Sequence, residues 1–177
     1  METFCTSRSL IDNPQFNRQR ERAQSGLNAG MLDRPIVPII TALNADPGCF
    51  TLQSCWGHFL PDGEDDLHTL KPLAARFSRY DEVEYRIAYI AFCVDTGPRG
   101  RKLLKAMEQI PAIEPEYVQF GCAHWFWKQQ VNSYVLQVEP ERFQDRDSVM
   151  LSCPEACFVE EVRDRFFRKL ETVLQIV

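Results

Sequence analysis

The sequence predicts an α+β fold in one domain, with a mixed or antiparallel β-sheet covered by helices. Its 177 residues, 45% of them apolar, match the size of one compact core. Segments rich in β-branched and aromatic residues alternate with segments of helical spacing. The glycine patterns of the Rossmann fold and of the P-loop are absent from the sequence. We therefore expect a single domain over 1–177, with 1–14 as a flexible N-terminal arm, and not a Rossmann fold.

Two helices are predicted in the first quarter of the chain. Helix formers begin at Phe16 in FNRQRERAQSGLNAG, and glycines end the pattern. In LDRPIVPIITALNAD, Asp33 is a good N-cap and Pro35 falls in the first turn, where a missing N–H costs nothing. The isoleucines that follow form a stripe suited to burial.

The middle of the chain predicts strands that alternate with helices. Residues 49–54 form a strand that runs into TLQSCWGHF, and 60–66 form a polar loop. Residues 67–77 have helical spacing, whereas 85–94, apolar almost throughout, are typical of a strand covered on both faces. A glycine-containing turn, DTGPRGRK, then leads into another helix.

The last third predicts a hairpin and a terminal helix. Residues 117–127 and 131–138 are two strands separated by a short connection, and 155–177 are strongly amphipathic. In this reading, Cys122 and His124 lie on one face of a strand, and so do Trp125 and Trp127. Those tryptophans are core or contact residues, or they stack on a purine ring.

The composition limits which cellular location and which binding partners are expected. The net charge is −5 and the pI about 5.3, so a broad electrostatic grip on nucleic acid is not indicated, although a local basic pocket is not excluded. The seven cysteines show no disulfide framework, and no apolar run has the length of a membrane span. We expect a cytoplasmic protein with no membrane partner. The sequence does not define its oligomeric state.

The stretch TLQSCWGHF permits three kinds of chemistry. Cys55 is a nucleophile if His58 or His124 lowers its pKa, and it is a zinc ligand if Cys55 and His58 join Cys122 and His124. Neither the spacing of Cys55 and His58 nor that of Cys122 and His124 matches the usual spacing of zinc ligands. We therefore expect no bound metal. The third interpretation is a compact ligand-binding loop, because Ser54 and Gly57 let a ligand approach the backbone.

Two other features carry weaker signals. DTGPRGRK places basic side chains at the start of a helix, where a phosphate or carboxylate can dock. Solvated arginines at an ordinary helix start explain the same pattern. Cys153 and Cys157 flank a proline at another helix start and are best interpreted as incidental thiols.

The order of features over residues 16–59 resembles the opening of the tRNA wybutosine-synthesizing protein 3 family. In that family a basic helix precedes an aspartate that opens an apolar helix, an asparagine, and a strand that enters a Ser-Ser-Cys-Ser-Gly-Arg loop. The positions of this sequence that match are Asp33, Asn44, Thr51, Ser54, Cys55 and Gly57. Three positions differ: Gln53 and Trp56 stand in place of serines, and His58 in place of the arginine.

The resemblance implies an S-adenosylmethionine-dependent methyltransferase that acts on a modified guanosine of tRNA. His58 and Asp33 are the catalytic candidates. The candidate ligand-binding residues are Thr51, Ser54, Cys55, Trp56, Gly57, Asn44 and His124. Two alternatives stay open: a divergent, non-catalytic module that binds a small molecule or a protein, and a zinc-binding protein.

Overall fold

A computed structural model describes residues 4–62, 66–71, 80–144 and 146–176. The described strands are β1 (Phe4–Cys5), β2 (Cys49–Cys55), β3 (His58–Pro61), β4 (Glu82–Arg86), β5 (Ala88–Val94), β6 (Val118–Ala123), β7 (Ser133–Val138) and β8 (Ser148–Ser152). The described helices are α1 (Phe16–Gly26), α2 (Val37–Ala45), α3 (Pro98–Met107), α4 (His124–Gln129) and α5 (Cys153–Ile176).

The strands form two antiparallel sheets. The larger sheet has the order β1-β6-β7-β5-β2, and the smaller has the order β3-β4-β8. Every strand pair in both sheets is antiparallel. The predicted α+β fold class is confirmed, and the sheets of the described residues lack the parallel strands of a Rossmann fold.

Helices cover the larger sheet on both faces. Along β5, Ile90 and Phe92 belong to the main core, which α2, α3 and α5 close. Ala91 and Cys93 point to the opposite face, where α4 contributes Phe126 and α1 contributes Phe16. This alternation explains why the β5 sequence is apolar almost throughout, since both of its faces are buried.

One long hairpin ladder bends to join the two sheets. β2 pairs with β5 up to Cys55 and Tyr89, and β3 pairs with β4 from His58 and Arg86 onward, in the same register. At the bend, the ladder is interrupted at Trp56–Gly57 on one side and at Ile87 on the other, and a separate irregularity lies within β2 between Thr51 and Gln53. Residues 54–58, which we call the 54–58 loop, therefore lie at the bend where the chain passes from the larger sheet to the smaller one.

Two predicted strands are wrong. The single strand predicted over 85–94 is two strands in different sheets, because the bend interrupts the ladder at Ile87. The strand predicted over 117–127 ends at Ala123, and HWFWK forms α4. A helical turn buries Phe126 against the sheet and exposes Trp125, so these aromatic residues do not alternate as they would on a strand.

The other differences between the predicted and the observed elements are confined to short segments. In the segment expected to be a flexible arm, Phe4 and Cys5 pair with β6, the Arg8 carbonyl accepts from the Tyr134 hydroxyl, and Ile11 exchanges hydrogen bonds with the Asn132 side chain. β3 begins inside TLQSCWGHF, and β8 was not predicted. In the predicted helix over 67–77, residues 67–71 are not α-helical and 72–77 lie outside the described residues. No helix among the described residues has both the length and the apolar character needed to span a membrane.

Candidate functional site

Gly57 makes the bend of the 54–58 loop possible. Its φ is +91°, a region that residues with a side chain rarely adopt. A Cβ at this position would lie 2.9 Å from Cβ of Ala88 and 3.2 Å from the Tyr85 ring. Backbone conformation and close packing both require glycine here.

Asp33 holds the loop from outside the hairpin. Its Oδ2 accepts a hydrogen bond of 2.9 Å from the backbone N–H of Trp56. Asp33 precedes a 3-10 turn (Arg34–Ile36) that leads into α2, but its side chain makes no capping hydrogen bond there. The predicted N-cap is therefore corrected: the carboxylate is directed to the loop instead.

Asn44 and Thr51 fasten α2 to β2 just before the loop. The Asn44 side chain donates to Oγ1 of Thr51 at 2.7 Å and to the carbonyl of Ile40 at 2.8 Å, and its Oδ1 accepts from the Thr51 N–H. Both residues are buried. All the hydrogen-bonding groups of the Asn44 amide are engaged, so Asn44 positions the strand that leads to the loop.

Four polar side chains converge beside the loop; we call Asp33, His58, Asp66 and His68 the aspartate–histidine cluster. Nδ1 of His58 lies 2.9 Å from Oδ1 of Asp66. Its Nε2 lies 3.6 Å from Oδ2 of Asp33, and Nε2 of His68 lies 3.7 Å from Oδ1 of Asp33. Because a carboxylate only accepts hydrogen bonds, the proton of a neutral His58 resides on Nδ1, and Nε2 keeps its lone pair toward Asp33.

The backbone around His68 is held from two sides. Phe59 and Leu67 exchange N–H···O bonds of 2.8 and 2.9 Å, which attach the segment to β3. From α5, Arg163 donates to the His68 carbonyl at 2.8 Å, and Glu160 accepts from the Leu70 N–H at 3.2 Å. The position of His68 is therefore set by β3 and α5 together.

Trp56 packs against α5. Its ring stacks on Phe167 of α5 with centroids 4.1 Å apart. The guanidinium of Arg163, which is 2% exposed, lies 5.3 Å from the Trp56 ring and 5.4 Å from the Phe59 ring. The tryptophan that replaces a loop serine thus anchors the bend to α5.

Cys55 is not an activated thiol. Burial is the main reason that its pKa is raised above the ordinary 9.0, and the nearby carboxylates of Asp33 and Asp66 raise the pKa further. The hydrogen bond that the Gly57 N–H donates to Sγ, at 3.3 Å, opposes this shift. The nucleophile interpretation loses its chemical basis, because the thiol stays protonated at neutral pH.

A cavity of about 420 Å³ opens where the loop leaves β2. Its lining includes Thr51 and Ser54 of β2. It also includes residues from the end of α1 and from the segment that leads to Asp33, among them Leu27 and Met31. The wall is mostly apolar, with Arg22 and Asn28 among its polar groups. Ligand sites of this type usually enclose about 300 to 1,000 Å³.

A second cavity, of about 320 Å³, adjoins the first. The two share Leu52 and Gln53 of β2, and the second is closed by the α4 residues Trp125 and Phe126. Trp125 is 51% exposed, and its ring meets Phe126 edge to face with centroids 5.2 Å apart.

The basic start of α3 is satisfied by the chain itself. Asp95 accepts from the Gly100 N–H at 3.1 Å, and Arg99 pairs with Asp46 at 2.8 Å. Arg101 donates to the Thr96 carbonyl at 2.7 Å. The structure therefore gives no support to an anion site at DTGPRGRK.

His124 lies apart from the loop, in what we call the His124 corner: Arg8, Cys122 and His124. Nδ1 of His124 lies 3.2 Å from Nη2 of Arg8, and Sγ of Cys122 accepts from the Arg8 N–H at 3.4 Å. Among the described residues, Asp33, His58 and His68 are the one group of three or more potential ligands that converges. The zinc site of Cys55, His58, Cys122 and His124 is therefore wrong.

The structure thus separates His124 from the 54–58 loop. It also adds three residues that the sequence analysis did not name. The loop, Asp33, Asn44, Thr51 and His58 form one unit, whereas His124 does not belong to it. Sequence reasoning missed Asp66, His68 and Arg163. The run EDDLH, directly after the loop region, was the available signal for the first two; the burial of Arg163 had no sequence signal.

Comparison with known proteins gives structural neighbours without a functional name. No family model and no curated protein matches the chain. Two solved structures of the PH1069 protein from Pyrococcus horikoshii have a TM-score of 0.49 and 14% identity; one covers 91% of both chains, the other 92% of this chain and 93% of its own. A hypothetical protein from Aeropyrum pernix has a TM-score of 0.43 and 10% identity, covering 82% of this chain and 99% of its own.

Proposed function

We propose that the chain is an S-adenosylmethionine-dependent methyltransferase, similar to the wybutosine-synthesis proteins, that acts on a modified guanosine of tRNA in the cytoplasm. One observation carries the proposal. The positions matched by the resemblance, Asp33, Asn44, Thr51 and 54–57, are joined by direct hydrogen bonds or by the chain itself beside a ligand-sized cavity.

The residues around the 420 Å³ cavity suit the chemistry of this methyl donor. Arg22 offers a cation for the amino-acid carboxylate, and Ser54 and Asn28 offer partners for ribose hydroxyls. Met31 and Leu52 supply apolar surface for the adenine ring. The donor brings a methyl group on a sulfonium, so the protein has mainly to align donor and acceptor.

The neighbouring cavity suits the acceptor base. Trp125 presents an exposed ring for stacking, and the shared wall of Leu52 and Gln53 brings an acceptor there close to a donor in the first cavity. Arg22 at the rim supplies local positive charge, which the overall charge of −5 lacks. With its proton on Nδ1, His58 has a free lone pair on Nε2 and is our candidate to accept a proton from the acceptor nitrogen. This role rests on the resemblance, since His58 lines neither cavity.

Calorimetric titration with S-adenosylmethionine tests the proposal, with thermal unfolding of the same samples. At 100 times the dissociation constant, the donor should stabilise the fold by about 2.7 kcal/mol. Arg22→Ala should weaken binding by about 10-fold, through loss of one charge-assisted contact. Arg18→Ala, on the same helix but exposed and not part of the cavity wall, is the matched control and should bind like the wild type.

Methyl transfer is the second readout. Labelled donor and tRNA that carries the unmethylated tricyclic guanosine should give labelled tRNA, and tRNA without that base should not. Trp125→Ala should reduce transfer without reducing donor binding. Absence of both heat and stabilisation with the donor would remove the proposal; donor binding without transfer would leave only a binding module.

A further inference from the structure

We propose that Asp33, His58 and His68 form a binding site for a divalent transition-metal ion, of which Zn²⁺ fits the donor set best. The three ligand atoms, one carboxylate oxygen and two imidazole nitrogens, lie within 4.8 Å of one another. Two histidines with one carboxylate are a common set of protein ligands for such ions, and they leave a coordination position open. The site goes beyond the proposed methyltransferase activity and requires neither methyl donor nor tRNA.

The distances are those of a nearly assembled site. Nε2 of His58 lies 3.6 Å from Oδ2 of Asp33, and Nε2 of His68 lies 3.7 Å from its Oδ1; both distances are too long for hydrogen bonds. Ligand atoms around a tetrahedral ion with bonds of about 2.0 to 2.2 Å stand roughly 3.3 to 3.6 Å apart. To hold one ion in this geometry, one carboxylate oxygen of Asp33 must approach both rings.

The partner of His58 orients the ring as a metal ligand. When His58 is neutral and its Nδ1 donates to Asp66 at 2.9 Å, the lone pair is on Nε2, which lies within 4.8 Å of the other two ligand atoms. A ligating histidine almost always donates its second ring N–H to a carboxylate, a carbonyl or water. Asp66 thus fills the supporting role, and Nη1 of Arg86 lies 3.9 Å from its other oxygen.

Charge also favours a cation at this place. Within the described part of the chain, the ionic partners of Asp33 are His58 and His68, which carry no charge when neutral. Asp33 and His58 are each about one-fifth exposed, so the carboxylate is partly withdrawn from water. A bound cation would balance this charge.

The three ligands come from three segments that are fixed independently. Asp33 precedes α2, His58 begins β3, and His68 follows the Phe59–Leu67 bridge and is held by Arg163. The backbone positions of the site are therefore set without the ion. Because the ion uses the lone pair of His58 Nε2, metal binding and proton acceptance by that atom exclude each other.

Titration of chelator-treated full-length protein with Zn²⁺ and with Co²⁺ tests the site. We expect one equivalent of Zn²⁺ per chain by calorimetry, and Co²⁺ should show the intense d–d absorption of a tetrahedral or five-coordinate site. His68→Ala should weaken Zn²⁺ binding by about 10-fold or more and abolish the Co²⁺ spectrum. Asp66→Ala, which leaves all three ligands in place, should weaken binding by about 10- to 100-fold.

His124→Ala is the matched control, since it removes the one histidine outside the cluster. It should bind both ions like the wild type. The His68 side chain is 46% exposed, so its variant is expected to fold, and circular dichroism checks this. Equal binding by wild type and His68→Ala, loss of binding in His124→Ala, or no stoichiometric binding by the wild type would overturn the proposal.

Discussion

The 54–58 loop and the His124 corner each place a cysteine within three residues of a histidine, and the structure gives them different surroundings. Beside the loop, His58 meets Asp33, Asp66 and His68, and Thr51 and Ser54 earlier in the chain line a cavity of about 420 Å³. In the corner, His124 meets the exposed side chain of Arg8. Both regions show the same signal in the sequence, a cysteine close to a histidine along the chain. What differs is the set of groups that distant parts of the chain bring to each histidine.

The same difference extends to the structural supports of the two regions. The loop is tied to α2 by Asp33, to α5 by Trp56, and to the smaller sheet by β3. The His124 corner is fixed to the N-terminal segment, through Arg8. We therefore expect substitutions of the residues that support the loop to lower both the stability of the protein and its ligand binding. Substitutions in the His124 corner should change both quantities little.

The largest effect is expected from Arg163. Arg163→Met should lower the free energy of unfolding by about 3 kcal/mol, because it leaves the Glu160 and Asp164 carboxylates without their cation and the His68 carbonyl without its donor. Chemical denaturation measures the loss. Arg165→Met, on the same helix and largely exposed, is the control and should change stability by less than about 0.5 kcal/mol. Similar effects of the two substitutions would contradict the role of Arg163.

The next largest effect is expected at the bend. Gly57→Ala should cost about 2 to 3 kcal/mol, because the new methyl combines a strained positive φ with a 2.9 Å approach to Cβ of Ala88. Gly26→Ala at the end of α1 meets no atom within 4 Å and should be neutral or slightly stabilising. Denaturation of both variants makes the comparison; a tolerated alanine at position 57 would show that the bend is not constrained as described.

A smaller effect is expected at the tie between Asp33 and the loop. Asp33→Ala should cost about 1 to 2 kcal/mol, because the N–H of Trp56 loses its acceptor. It should also weaken binding of the methyl donor, since the loop carries Ser54 into the cavity wall. His124→Ala is the comparison in the other region and should stay within about 0.5 kcal/mol. Equal stability of Asp33→Ala and the wild type would show that the hydrogen bond from Asp33 does not hold the loop.

The smallest difference between the regions is expected in their thiols. Burial raises the pKa of Cys55 above 9.0 and that of Cys122 to about 11, so both thiols stay protonated at neutral pH. Alkylation of both should be slow at pH 7 and should accelerate only as the pH rises beyond 9.0, with Cys122 responding toward pH 11. Peptide mass spectrometry after timed alkylation measures each site. Fast alkylation of Cys55 at pH 7 would restore the nucleophile interpretation.

Local pattern predicted much of the fold, because burial on one or two faces leaves a periodic trace. α1, β2, α3, β7 and α5 follow from such traces. HWFWK was mistaken for a strand since aromatic residues favour strands, whereas here only Phe126 turns inward on a helical turn. The sequence also contains no sign of the split of 85–94, because Ile87 is apolar and the bend is set by Gly57, which lies between β2 and β3.

The candidate site was predicted in part. Asp33 and the 54–58 loop were found through a resemblance over 16–59, and their hydrogen bond is a contact over 23 residues that no local pattern encodes. His68 was assigned to a helix, so its approach to Asp33 could not be anticipated. His124 was grouped with the loop on the assumption that Cys122 and His124 share a strand face, which the start of α4 removes.

The three histidine side chains permit one direct test of the contrast between the two regions, by nitrogen–proton correlation NMR of the imidazole rings in the metal-free protein and during Zn²⁺ titration. We predict that neutral His58 carries its proton on Nδ1, and that the Nε2 signals of His58 and His68 shift together as Zn²⁺ is added while the His124 signals stay unchanged. A proton on Nε2 of neutral His58, or a shift of His124 equal to the shifts of the other two, would contradict the account.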